Sequence, residues 1–286
     1  MSAIQPHTPH TAMRKAQQNM LRTLVACGMM VLALTSMGQE WSRNSTAAWM
    51  VGLGSVRQLD TYLSPLEYKG IQLSTLRETQ RMTHLADGRI SFQSLLQGAF
   101  SIAENRPATA NYWGGHLNYD AGWHYNWQPA RGLRLMAGGM IGAEVGCLYN
   151  DRNGNNPVQA RLNADLSASA AANYTFRLRH KMLSLRYQVN IPVAGCMFSP
   201  QYGQSYYEIS LGNRDHNVVF THPANAFSCW QLFTLDIPLQ RYTLRSGYLC
   251  DIHQSHANHI KVHDYSHSFM IGLVRHFTLI SPTPKK

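Results

Sequence analysis

A serine, an imidazole and a carboxylate brought into line are the parts of nucleophilic acyl transfer. The serine attacks, the imidazole takes its proton and the carboxylate orients the imidazole. Ser101, His116 and Glu144 offer that set. Each stands on the polar face of an alternating segment. Pairing neighbouring segments about their hairpin centres, which fixes register to about two residues, sets the three side by side. The same row can equally be a hydrogen-bonded network with no chemistry. If the row is catalytic, the reaction is a serine-type hydrolysis of lipid or lipopolysaccharide acyl chains.

A second row pairs Asp251 and His253 with Ser266 and Asp264 at the mouth of the last hairpin. His253, His256, His259 and His263 crowd the adjoining loop, where imidazoles could hold zinc or copper. A loop lacks the fixed geometry of the usual metal motifs, so no cofactor is otherwise expected. The long segment 194–227 carries Phe198, Tyr202, Tyr206, Tyr207 and Phe220 and reads as a lid or ligand-contact surface. Arg134, Arg186, Asp251 and Ser266, with Tyr202, Tyr206 and Tyr207, are the candidate binding residues.

The elements that must position these groups announce themselves by alternation. From Ala160 to Leu178 every even position is Ala, Leu, Tyr or Phe, while the odd positions include Arg161, Asn163, Asp165, Ser167, Ser169, Asn173 and Arg177. Period two over this length is a strand with one apolar and one polar face. Strands of soluble proteins run to roughly 5–6 residues, so this one is long enough to cross a bilayer. The pattern recurs at 182–193, 113–127 and 133–149, and more weakly at 47–54, 70–82, 89–103, 228–238, 241–254 and 264–277. No segment downstream of residue 38 is continuously apolar for the roughly 18 residues of a membrane helix.

Connections at 84–88, 128–131, 179–180 and near Leu239 are short, and those at 56–69, 104–111, 150–158, 194–227 and 255–263 are long and polar. Short turns at one end and long loops at the other predict an all-β transmembrane antiparallel up-and-down β-barrel of about ten strands, with short periplasmic turns and long extracellular loops. The soluble rival, a sandwich or lipocalin-like barrel, alternates too, with its apolar face turned inward. A barrel of this size is too narrow for a porin channel. Its polar lumen would hold Asp120, Glu144 and Asp165 among Arg161, Arg177 and Arg245, a mixture that suits internal ion pairing.

The start of the chain has a basic stretch around Arg14, Lys15 and Arg22, an apolar run at 24–35, then Ser36-Met37-Gly38 before Gln39. This predicts a signal peptide over 1–38, cut near Gly38/Gln39, and a single barrel domain over 39–286. Leu24-Val25-Ala26-Cys27 also matches a lipoprotein box. Removing three basic and no acidic residues lowers the formal charge from +10 to +7. Lipid phosphates fit that charge better than nucleic acid, which an exported chain rarely meets. Cys147, Cys196, Cys229 and Cys250 are widely spaced without a CxxC pair, so no zinc or redox motif is indicated and disulfide pairing is left open. Cys147 and Cys250 fall on lipid-facing positions.

The runs Tyr187-Gln188-Val189-Asn190-Ile191-Pro192 and Met197-Phe198-Ser199-Pro200-Gln201-Tyr202-Gly203-Gln204-Ser205-Tyr206-Tyr207-Glu208 resemble an uncharacterised Bacteroidetes-type family of predicted outer-membrane β-barrel proteins, a domain of unknown function. So do Tyr62-Leu63-Ser64-Pro65-Leu66-Glu67-Tyr68 and Tyr265-Ser266-His267-Ser268-Phe269. The resemblance implies an outer-membrane barrel and transfers no catalytic role.

The resulting expectation is a monomeric, non-enzymatic barrel in the outer membrane of a Gram-negative bacterium. It would touch outer-membrane lipid and lipopolysaccharide, meet the barrel-assembly machinery during biogenesis, and contact an external ligand or the envelope through its loops. The alternatives are the acyl hydrolase above and a narrow conduit for small solutes.

Overall fold

The structure, a computed structural model, describes residues 45–154, 156–239 and 242–277. The signal peptide, its cleavage point and Cys27 lie outside the described residues. Alternation becomes strand at every predicted place: β1 (Ser45–Asp60), β2 (Ser64–Met82), β3 (Ile90–Asn105), β4 (Asn111–Ala130), β5 (Leu133–Asn150), β6 (Val158–Leu178) and β7 (Lys181–Phe198) come first. A short β8 (Val218–Thr221) follows, then β9 (Ser228–Pro238), β10 (Thr243–Ala257) and β11 (Ile260–Phe277). Consecutive strands pair antiparallel, β1 pairs with β11, and β7 pairs with both β6 and β9. Ten strands therefore close on themselves, and β8 pairs with β7 above β9. Closure leaves no unpaired sheet edge in lipid.

Burial decides between the membrane barrel and the soluble rival. Leu53 and Ile71 are each 67% exposed on the outer face, and Trp123, Trp127, Ile141 and Phe269 also face outward. Gln58, Gln72, Ser74, Gln93, Gln97 and Ser101 are buried inside. A continuous apolar exterior around a polar interior is stable only where the solvent is hydrocarbon, so the barrel is transmembrane. No helix among the described residues is long and apolar enough to cross a membrane; the strands do so.

The strands run further than the alternation indicated. Residues 56–60 and 64–69 continue β1 and β2, and 255–257 and 260–263 continue β10 and β11, whereas the connections at 106–110 and 151–157 fall where expected and that at 199–227 is the longest among the described residues. Past the apolar belt the outward positions turn polar, as at Arg57 and Lys69, which hides strand from a hydrophobic-period reading although Arg57 and Lys69 are still paired in register. The supposed histidine loop is a hairpin whose two turn residues, Asn258 and His259, have φ of 51° and 63°. Positive φ at both central positions is the type I′ geometry that matches strand twist.

The lumen is filled in layers. Met50, Leu76, Leu95, Met140, Trp230, Leu232, Leu249 and Met270 make one apolar cluster across it. Towards the short-turn end sits an ionic layer: Glu78 is ion-paired with Arg186 and, at 2.6 Å, with Arg245, which also holds Asp236 at 2.6 Å. A second apolar cluster, including Leu63, Tyr68, Tyr112 and Leu148, plugs the β1–β5 side of the opposite mouth, with the rings of Tyr68 and Tyr112 stacked 3.6 Å apart. The four cysteines among the described residues are free thiols: Cys147 and Cys196 are exposed, and Cys250, on an outward position, is buried.

Candidate functional site

Register settles the serine row. Ser101 lies opposite Gly114, and His116 opposite Ala99 and Gly146; Glu144 lies opposite Asn118. Each predicted pair is displaced by two residues along the barrel, within the two-residue latitude of a register inferred from hairpin centres; a β-bulge between Trp127 and Ala130 adds to the β4–β5 shift. Ser101 Oγ is instead taken by one amide: it accepts from Gln58 Nε2 at 3.2 Å and donates to Gln58 Oε1 at 3.4 Å. Glu144 accepts from Asn163 Nδ2 at 3.1 Å. The expected alignment of nucleophile, base and orienter is therefore not formed. A serine–imidazole contact that sequence reasoning missed lies deeper, between Ser169 Oγ and His124 Nε2 at 2.7 Å. Both residues are buried, and Ser169 donates to Asn190 Oδ1 at 2.6 Å, so this pair is a packed network.

The four histidines do not converge either. His253 points into the lumen, His256 and His263 stand on outward positions, and His259 sits in the turn. His263 stacks on Tyr265 with ring centres 4.9 Å apart. Strand alternation separates side chains that a loop could have gathered. Among the described residues no group of three His, Cys, Asp or Glu is arranged to hold a metal ion.

The second predicted row is assembled. His253 Nε2 lies 2.8 Å from Asp251 Oδ1, and His253 Nδ1 lies 3.2 Å from Ser228 Oγ. Asp251 Oδ2 accepts from Gln97 Nε2 at 2.7 Å, and Ser266 is the register partner of Asp251. Asp264 accepts from Arg161 Nη1 at 2.5 Å and from Gln58 Nε2 at 2.9 Å.

Of these groups Ser228, His253, Arg161 and Asp264 border a chamber of about 110 Å³, whose lining also includes Asp60, Glu144 and Asp165. The chamber exists because β7 changes partner. Up to Asn190 it pairs with β9, and from Gly195 with β8. Residues 222–227 between those strands instead bond to β10, through Phe227 and Asn225 carbonyls that accept from the amides of Gln254 and His256. Residues from both sides of this seam, including Pro192, Thr221 and Ala226, line the chamber.

Its charges are unequal. Asp264 has Arg161, and Asp251 has His253. Glu144 and Asp165, however, are served by neutral donors: Asn163, and Ser167 Oγ at 2.7 Å. Asp120 beside them accepts from Asn118 Nδ2 at 2.8 Å. Asp120 and Asp165 flank Gly142 in register, and a Cβ there would lie 2.5 Å from Asp120 Oδ1 and 3.3 Å from Asp165 Oδ1. A side chain at that position would have to displace the Asp120 carboxylate. Asp60 is buried and uses Oδ1 to accept from Tyr62 N at 3.0 Å, while its Oδ2 has no hydrogen-bond partner among the described residues.

Over the mouth lies the predicted lid. Helix α1 (Tyr206–Ser210) is started by Ser205 in a capping box with Glu208; those hydrogen bonds hold the Glu208 carboxyl below its ordinary range. Tyr206 is the anchor: its Oη accepts from Ala160 N at 2.7 Å and reaches Gln159 Oε1 at 3.0 Å. Burial raises the Tyr206 phenol above its ordinary range. Asn258 Nδ2 ties the lid to the last hairpin by donating to Ser199 O at 2.8 Å and His216 O at 2.9 Å. Tyr202 and Tyr207 remain open, at 67% and 71% exposure. Arg186 belongs to the ionic layer, and Arg134 to a separate cavity at the other mouth.

Among solved structures, the chain is similar to the transport unit of the autotransporter AIDA-I from Escherichia coli, with 9% identity, a TM-score of 0.49, and 86% of this chain and 94% of that chain covered. It is similar to the outer membrane protease OmpT from Escherichia coli at 9% identity and a TM-score of 0.43, covering 85% and 100%. For the translocator domain of the autotransporter NalP from Neisseria meningitidis, the values are 10%, 0.36, 94% and 98%. No curated protein matches the chain by sequence. The family model described as a protein of unknown function, DUF3316, matches residues 18–284, and the chain belongs to that family.

Proposed function

We propose that the protein is a non-enzymatic outer-membrane barrel, closed to flow, whose extracellular rim contacts an external ligand and whose chamber receives a small cationic group of it. The short turns and both ends of the barrel then face the periplasm, and the Asn258-anchored lid faces outward. One observation carries the reading: Glu144, Asp165 and the free oxygen of Asp60 border a chamber whose two cationic side chains, Arg161 and His253, are hydrogen-bonded to other carboxylates, Asp264 and Asp251, so five carboxylates share two cations there. Buried carboxylates are stabilised by a charged partner. The volume limits what enters, since drug-sized ligands occupy roughly 300–1,000 Å³. A primary amine or guanidinium on a larger molecule fits.

The layered plug argues against the conduit. Displacement of Ser101 from His116, with its hydroxyl engaged by Gln58, leaves the hydrolase without an activated nucleophile. Outer-leaflet lipid against the apolar belt and delivery by the barrel-assembly machinery, which recognises a final strand such as that ending at Phe277, complete the proposal.

Calorimetry on the folded barrel in uncharged detergent tests it, with 1,4-diaminobutane as probe. Saturable binding is expected, weakened about tenfold in Asp165→Asn or Glu144→Gln, in line with loss of one charge-assisted hydrogen bond. No saturable heat, or none that these variants alter, sinks the reading.

A further inference from the structure

At the mouth opposite the lid, a cavity of about 750 Å³ opens among the short turns. Its lining includes Arg134, Arg89, His276, Gln80, Asn126 and Trp127, and no Asp or Glu. Arg134 projects from the inward face of β5 and is half-buried. No carboxylate among the described residues pairs with it. The carboxylates just deeper in the lumen are already committed: Glu78 to Arg186 and Arg245, and Asp236 to Arg245. Asp87, on the adjacent turn, is exposed and is not part of the lining. Arg89 spends one nitrogen on Tyr125 Oη at 3.1 Å and keeps the remainder of its fork.

A guanidinium partly withdrawn from water, with no counter-charge, gains from an anion brought to it. Its planar fork matches two oxygens of a carboxylate or phosphate. The cavity has the volume of a small-molecule site; the Gln80 and Asn126 amide nitrogens beside it already donate within the wall, to Ser91, Met136, Arg89 O and His124 O, so the guanidinium groups are what it offers an anion. Its character is opposite to that of the lid-side chamber: Arg89, Arg134 and His276 line it, without acids.

We infer that this cavity is an oxyanion site, in which Arg134 holds a carboxylate or phosphate group of a soluble molecule. In the orientation proposed above, that molecule is periplasmic. Binding itself does not depend on the orientation or on the chamber's ligand, so either proposal can fail alone.

The test uses the full chain folded in uncharged detergent, titrated by calorimetry with inorganic phosphate and, separately, with succinate. Saturable binding of at least one is expected. Arg134→Gln should weaken it about tenfold or more, the loss of one bidentate charge-assisted contact. Arg134→Lys should keep part of the affinity, and Arg179→Gln, at the same rim but outside the lining, should keep all of it. Heat-dependent migration on gels verifies that each variant is folded. Phosphate binding without succinate binding assigns a phosphorylated ligand, and the reverse assigns a carboxylate. No saturable binding of either, or binding undiminished in Arg134→Gln, overturns the site.

Discussion

Glu78 on β2 and Arg245 on β10 meet inside the barrel at 2.6 Å, and the same carboxylate takes Arg186 from β7. One acidic residue thus ties together three parts of a closed wall. Gln93 Nε2 donates to it as well, at 2.7 Å.

Replacing Glu78 by Ala would leave two buried guanidinium groups without their shared partner. Removing one side of a buried pair costs about 3–5 kcal/mol. The temperature at which the barrel band converts to the unfolded band should fall clearly in Glu78→Ala and less in Glu78→Gln, which keeps an acceptor. Equal midpoints for wild type and Glu78→Ala would show that the ionic layer does not support the wall.

Trp230 joins the apolar layer to the polar one: its ring packs with the cluster around Leu232 and Met270, and its Nε1 donates to Gln97 Oε1 at 2.6 Å. Trp230→Ala removes the largest side chain of that layer, at about 3–5 kcal/mol for a buried Trp. In planar bilayers the wild type should be silent and the variant should admit brief currents. Steady currents through the wild type would restore the conduit reading.

Ser101 and His116 give a sharp negative expectation. Ser101→Ala loses only the exchange with Gln58, about 1 kcal/mol, and no chemistry. The envelope lipid profile of a deletion strain complemented with Ser101→Ala or His116→Ala should match that with wild type. A shift in acyl-chain content in both variants would revive the hydrolase.

The lid should respond to alkali. Tyr62 Oη donates to Gln204 O at 2.8 Å, and burial, then the nearby Tyr206, Asp60 and Glu208, raises its pKa to about 12. A phenol whose folded pKa is raised above its ordinary 10 contributes stability that is complete below pH 10 and is lost as pH climbs towards 12. Hydrogen exchange in residues 199–217 should therefore quicken across that window, and should be faster already at neutral pH in Tyr62→Phe and Asn258→Ala. Exchange that ignores pH and both variants would mean that the lid is held elsewhere.

Much of this architecture was legible beforehand because a membrane barrel writes one rule into every strand. Lipid on one side and a polar lumen on the other impose period two from β1 to β11, so the strands, their inward residues and the second row around Asp251, His253, Ser266 and Asp264 could be read from side-chain order alone. The aromatic segment containing Tyr206 could also be recognised as a lid. Period two says nothing about how far each strand is slid against its neighbour. A displacement of two residues preserves every inward and outward assignment while it separates Ser101 from His116.

The sequence by itself therefore determined the faces: which side chains meet lipid, which meet the lumen, and that the chain closes into a barrel. The tertiary structure alone decided the neighbours. Strand register gave Ser101 to Gln58, the extended β10–β11 hairpin scattered the histidines, and the change of partner along β7 opened the chamber. Cross-barrel meetings such as Glu78 with Arg245 depend on closure and strand stagger, which arise only when all ten strands are in place.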